Sequence, residues 1–196
     1  IKVITDASTI AMELQNGGVD FVADIAAADR GNFMDDNGAL DGYAISYGPN
    51  NAYVHITFNC SENSPMSDIN LRKAFCYCID TEAANFLGFG EGQSQVAVGY
   101  TNPVWMDYTD KIDDGEYYNY SEDKARECLE KSNYNGEVIK VLVCQNSNAR
   151  TMATAIEAYC SAVGINIELL EYDSSVYNEE KRDESGTHWD VDFNNE

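Results

Sequence analysis

Two cysteines one residue apart, Cys76 and Cys78 in DINLRKAFCYCID (68–80), are the first candidates for chemistry. Paired thiols bind a metal or form a redox couple only when both sulfurs reach the same point. Here Leu71, Ala74, Phe75 and Cys78 recur at i, i+3, i+4 and i+7, the stripe of a helix with one apolar face. At about 100° per residue, Cys76 lies roughly 160° around that helix from Cys78. The two thiols diverge, so a shared metal or a bond between them is not expected, and Cys78 reads as a small core residue. The other cysteines, Cys60, Cys128, Cys144 and Cys160, bring the total to an even six. That permits disulfides, but a 196-residue chain with 44% apolar residues has core enough to fold without them. No C-x-x-C occurs and the two histidines, His55 and His188, are far apart, so no zinc site is supported.

Other chemistries fail on spacing. MDDNGALDG (34–42) suggests a calcium loop, yet with Asp35 first, Ala39 takes the fifth ligand position and Leu40 the place of the glycine. DKIDDGEYYNYSE fails similarly, with Ile112 at the third position. No G-x-S-x-G, P-loop or H-E-x-x-H is present, and nothing in the spacing of the many carboxylates selects a glycosidase-like pair. No catalytic residue, metal or cofactor is assigned, and the chain is not read as an enzyme. Acidic side chains outnumber basic ones 34 to 12, a formal net charge of −22. Such a surface repels phosphate backbones and argues against a nucleic-acid partner. The acidic residues are spread through periodic apolar segments, so they read as solvated surface and not as a disordered tail. No stretch approaches the ~20 apolar residues of a membrane span. The chain opens in a strand-like run without Met and ends just after another, so a fragment of a longer protein is expected.

The elements that would position any site alternate along the chain. IKVI (1–4) reads as a strand, and Asp6 caps a helix carrying Ala7, Ile10, Ala11 and Leu14, which Gly17-Gly18 ends. VDFVADI returns as a strand, and 34–42 as a polar loop. NAYVHITFN (51–59) alternates, Val54, Ile56 and Phe58 on one face, Tyr53, His55, Thr57 and Asn59 on the other. Pro65 and Ser67 introduce the cysteine helix; residues 88–115 read as a long irregular loop. Ser121 caps a helix with Ala125, Cys128 and Leu129 inward, and VIKVLVC (138–144) is a buried strand. After NSNAR comes a helix with Met152, Ala155, Ile156, Tyr159 and Val163 on one stripe, stopped by Gly164. INIELLEY, a short helix near 174–182 and a strand around HWDVDF complete an α/β pattern.

Several of these segments, in this order, resemble the extracytoplasmic solute-binding proteins of family 5, which serve peptide- and nickel-type ABC importers. ASTIAMELQNGGVDFVADI is similar to the family's helix and GxVD strand. YVHITFNCSENSPMSDINLRKAFCYCID resembles its strand ending in Asn, Pro-x-x-Asp turn and Arg-x-Ala helix ending Ile-Asp. YSEDKARECLEKSNYNG, ARTMATAIEAYCSAVGINIELLEYD and GTHWDVDF resemble the helices, turns and strands that follow.

The resemblance implies a periplasmic-binding-protein-like fold of type II, mainly one lobe. Residues 1–50 would be the end of a first lobe, 51–59 a hinge-crossing strand, and 60–196 a second lobe incomplete at its C-terminal end. It implies no chemistry: a peptide is captured outside the membrane and delivered to an ABC permease by a monomeric protein, anchored as a lipoprotein when intact. Nickel chelates, oligosaccharides or a pheromone-sensing role stand as alternatives, with a hydrolase behind them. Tyr53 and His55, on the polar face of the hinge strand, would look toward the cleft. Gln145, Asn146 and Arg150 would donate to a carboxylate or peptide backbone from the loop after the central strand. Dipeptide-binding relatives place an Arg in that loop, where this chain has Gln145 and Asn146. Cys76 and Cys78 become structural thiols of a landmark helix.

Overall fold

The computed structural model describes residues 1–46, 53–97, 118–145, 147–183 and 185–195. Its contacts divide the chain into two compact units, Ile1–Pro49 and Asn50–Glu196. Asn146 and residues 98–115 of the expected irregular loop fall outside the described residues.

In the first unit, helix α1 (Ala7–Gln15) forms where the periodicity places it. The Asp6 carboxylate accepts from Thr9 N (2.7 Å) and Thr9 Oγ1 (2.6 Å), satisfying donors the first turn cannot. Gly17 takes φ +69°, the left-handed conformation that ends the helix. Residues 1–4 and 19–25, expected as strands, are not strands: among the described residues no neighbour pairs with them, and Ile1, Val3 and Phe21 are exposed. Alternation marks a segment able to join a sheet but does not supply its partner. Conversely, the polar stretch read as a loop holds a small hairpin, β1 (Met34–Asp35) with β2 (Gly38–Ala39). The Asp35 side chain accepts from Asn37 N at 2.8 Å, and Gly38 takes φ +118°.

The second unit is built on a four-stranded sheet in the order β3-β6-β4-β5. These are β3 (Val54–Phe58), β4 (Ile139–Cys144), β5 (Ile167–Tyr172) and β6 (Val191–Asn195). β4 is parallel to both β5 and β6, and β6 is antiparallel to β3. Helix α2 (Ile69–Cys78) starts at Asp68, whose Oδ1 accepts from Asn70 N at 2.7 Å. The same carboxylate accepts from Asn133 N through Oδ2 (2.7 Å), tying the turn at 131–136 to the start of α2. Helix α3 (Thr81–Phe89), capped by Asp80, was not separated from α2 in the sequence because its cap follows α2 within two residues. Gly88 on α3 lies so close to Met152 that an added Cβ would stand 2.4 Å from its Sδ, so any larger residue there requires the Met152 side chain to shift. Helices α4 (Glu122–Glu130) and α6 (Ser174–Lys181) fall where the sequence places them, while α5 (Ser147–Val163) begins at Ser147, inside the NSNAR stretch expected to precede it.

Strand alternation sorts the side chains into two faces. Val141, Val143, Ile167, Leu169, Val191 and Phe193, with Val54, Ile56 and Phe58 of β3, pack on one core with Leu71, Phe75, Cys78, Ala125, Met152, Ile156 and Cys160. The expected facing of 54, 56 and 58 is therefore observed, and Phe58 meets Phe75 edge-on at 5.6 Å between centroids. The opposite face carries Asp190, Asp192 and Asn194 and is met by α6, whose Tyr177 is buried there.

Candidate functional site

Strand β4 leads through α5 to β5 on one side, while β6 arrives on its other side. α5, which follows β4, packs on one face of the sheet and α6, which precedes β6, meets the other, so the carboxyl ends of β4 and β6 are the switch point of this topology. In open α/β sheets that is where ligands bind. The register fixes which residues meet there. Cys144 pairs with Tyr172, and Gln145 N donates to Tyr172 O (2.8 Å), so Gln145 prolongs the ladder past the end of β4. On the other side Val54 pairs with Asn195 and His55 with Asn194, which brings the start of β3 to the carboxyl end of β6.

Tyr53 and His55 come together: their rings stack with centroids 4.9 Å apart at 27°. Both are half-buried. Gln145 is exposed and stands two strands away from β3, about 10 Å at the usual spacing between neighbours. Arg150, in the first turn of α5, is 66% exposed, and its Nε lies 3.3 Å from Glu171 Oε2. Glu171 shares its strand face with Leu169, so this guanidinium is turned to the helix-covered side of the sheet while Tyr53 and His55 are on the other. His188 is exposed, with Nδ1 2.9 Å from Glu180 Oε2.

Residues that the sequence did not single out lie behind this rim. Asp192, fully buried, accepts from Tyr177 Oη at 2.5 Å and holds Lys181 Nζ 3.3 Å from its second oxygen. Asp190 accepts from Ser64 Oγ (2.6 Å) and Lys140 N (2.9 Å), and its backbone pairs with Asn59 and Lys140. The alternation in WDVDFNN does place Asp190, Asp192 and Asn194 on one face. That this face is the one shared by Tyr53, His55 and Thr57 depends on the β3–β6 register, a contact between segments about 130 residues apart. Among the described residues, the buried Trp189 indole N–H has no hydrogen-bond partner.

The arrangement offers hydrogen-bond donors, acceptors and stacked rings, which suit recognition. Among the described residues, no group of three or more His, Cys, Asp or Glu could hold a metal ion. None of the described helices is long and apolar enough to cross a membrane.

The α/β lobe with its switch point is of the periplasmic-binding-protein-like kind. Residues 1–194 match the profile of bacterial extracellular solute-binding proteins, family 5, middle region, and the chain belongs to that family. Three solved structures share its fold at low identity. The ABC transporter substrate-binding protein CtaP of Listeria monocytogenes is 20% identical with a TM-score of 0.78, over 100% of this chain and 39% of that one. The oligopeptide-binding protein AppA of Bacillus subtilis, solved with a nonapeptide, is 20% identical with a TM-score of 0.78, over 99% of this chain and 40% of its own. NikZ of Campylobacter jejuni, solved with Ni(L-His), is 16% identical with a TM-score of 0.74, over 100% and 38%. The chain thus spans about two fifths of the length of these proteins. No curated protein sequence matches it.

Proposed function

We propose that the chain is the greater part of one lobe of a peptide-capturing subunit of an ABC importer. The observation that carries this reading is the switch point beyond β4 and β6, rimmed by Tyr53, His55 and Gln145 in a chain of the family 5 type. Residues 1–50 would end a first lobe, 51–59 cross the hinge, and 60–196 belong to a second lobe incomplete at its C-terminal end. Ligand bridging both lobes would populate the closed state, with no bond made or broken. Tyr53 and His55 offer a ring platform; Gln145 and Asn146 offer amides for a peptide backbone. Arg150 would reach a ligand carboxylate by exchanging it for Glu171. The intact protein would work as a monomer outside the cytoplasmic membrane, held there by a lipid anchor, and deliver to a membrane permease.

A second reading, a nickel chelate as cargo, draws on the likeness to NikZ. The test is the melting temperature of the full-length protein against di- to octapeptides, nickel–histidine and oligosaccharides. Ligand at ~100 times its dissociation constant stabilises by ~2.7 kcal/mol, a shift of a few degrees. A shift with peptides alone supports the importer reading and sets the chain length preferred. A shift with nickel–histidine or sugars alone keeps the fold and overturns the cargo.

A further inference from the structure

Cys78 closes α2 and Cys160 stands in the last turns of α5, so neither helix alone brings them together. Docked in the core, the two helices place the sulfurs 3.7 Å apart, in van der Waals contact. Both residues are buried, Cys78 at 1% and Cys160 at 0% exposure. The other thiols are placed differently. Cys60 is exposed, Cys144 lies 3.6 Å from Ser174 Oγ, and Cys76 leaves α2 away from Cys78. We propose that Cys78 and Cys160 are a modification site, joined in the mature protein by a disulfide that fastens α2 to α5 across the core.

The bond needs the sulfurs at about 2.05 Å, so forming it requires them to close from 3.7 Å by turning about χ1. Cys78 Sγ sits 3.2 Å from Phe75 O, a contact it gives up on turning. The oxidant is a disulfide, R–S–S–R. One cysteine thiolate attacks it, giving a mixed disulfide and one RSH. The second thiolate then attacks the protein sulfur of that mixed disulfide, closing Cys78–Cys160 and releasing a second RSH. Two thiol protons and two electrons leave the protein, and both appear in the two RSH. The contact with Cys78 and burial hold the Cys160 thiol well above its ordinary range, so the thiolate is scarce once the core is closed. The exchange therefore belongs to folding, as α5 docks on α2 and before the core seals. The cysteines are 82 positions apart, so the bond closes a long loop and constrains the unfolded chain strongly.

The test unfolds and reduces the full-length protein, refolds it in a buffer of glutathione and glutathione disulfide, and blocks free thiols with N-ethylmaleimide. Digestion without reductant and mass spectrometry then map the linkages. The expected result is a peptide pair joining Cys78 to Cys160, split by reductant, with Cys60, Cys76, Cys128 and Cys144 blocked. Reductant then lowers the melting temperature of the wild type by several degrees and leaves that of Cys78→Ala unchanged. Recovery of Cys78 and Cys160 as blocked thiols, or linked to other cysteines, overturns the proposal. The mapping uses the wild type, so it decides even where Cys78→Ala does not fold. It involves no ligand, so a failure of peptide capture does not bear on it.

Discussion

The two faces of the second unit's sheet bury side chains by different physics. On one, Val141, Val143, Val191 and Phe193 meet α2, α4 and α5 through apolar contacts that need no particular orientation. On the other, Asp190, Asp192 and Asn194 are buried at 7%, 0% and 5% exposure, and each must be matched by a donor or a charge. The apolar face is stabilised by area, the polar face by specific partners: Ser64 and Lys140 for Asp190, Tyr177 and Lys181 for Asp192. A face of the second kind is costly unless complete, but it fixes the register of β6 and so the rim residues beside it.

Mutations at the two faces should separate these contributions. The largest effect falls on the apolar side: Phe75→Ala empties the centre of the core and should cost about 3–5 kcal/mol, read as a lower urea midpoint. Next, Tyr177→Phe removes one hydroxyl that donates to a buried carboxylate and should cost about 2 kcal/mol. Equal losses from Tyr177→Phe and an exposed Tyr120→Phe would show that the polar face is not specifically held.

A smaller effect tests burial by pH. Burial first, then Cys78, raise the Cys76 thiol to about 11 against an opposing pull from Arg72. A raised thiol favours the folded state below the ordinary value of 9.0, and that contribution fades as pH climbs through about 11. Stability of Cys76→Ala should accordingly fall less steeply than wild type over that window. At pH 8, maleimide should label the exposed Cys60 well before Cys76. The smallest effect is at Asp183, lowered to about 2 by the Ser185 hydroxyl foremost, with further help from the Ser185 and His188 backbone N–H groups and the His188 charge. Its contribution is present above the ordinary carboxylate value and lost as pH falls toward 2. Ser185→Ala should move its NMR titration midpoint upward with little change in stability.

These contrasts also explain what was legible in the sequence. Helices α1, α2, α4 and α6 are local because Asp6, Asp68, Ser121 and Asp173 each accept from the first turn they precede, and α5 was legible from its apolar stripe. The apolar and polar faces of β3 could be read from alternation alone. The position of β6 between β3 and β4 could not, since it rests on pairing between distant segments. The same limit hid Tyr177 and Asp192, whose bond joins a helix face to a strand face only after the sheet is ordered. Residues 1–4 and 19–25 had the pattern of strands, but among the described residues nothing pairs with them. For Tyr53 and His55 the neighbourhood along β3 was visible, while the stack of their rings was not.

The central place of β6 also sets an order of events. A chain made from its N-terminus finishes β3, α2, β4, α5 and β5 before residues 191–195 exist to join them. Until then β3 has no neighbour, β4 has one open edge, and Asn59 lacks its partners at Trp189 and Asp190. Such late, long-range closure makes folding slow. The second unit therefore stays loose and threadable until residues 191–195 have been made, and locks only when β6 slides into the gap between β3 and β4.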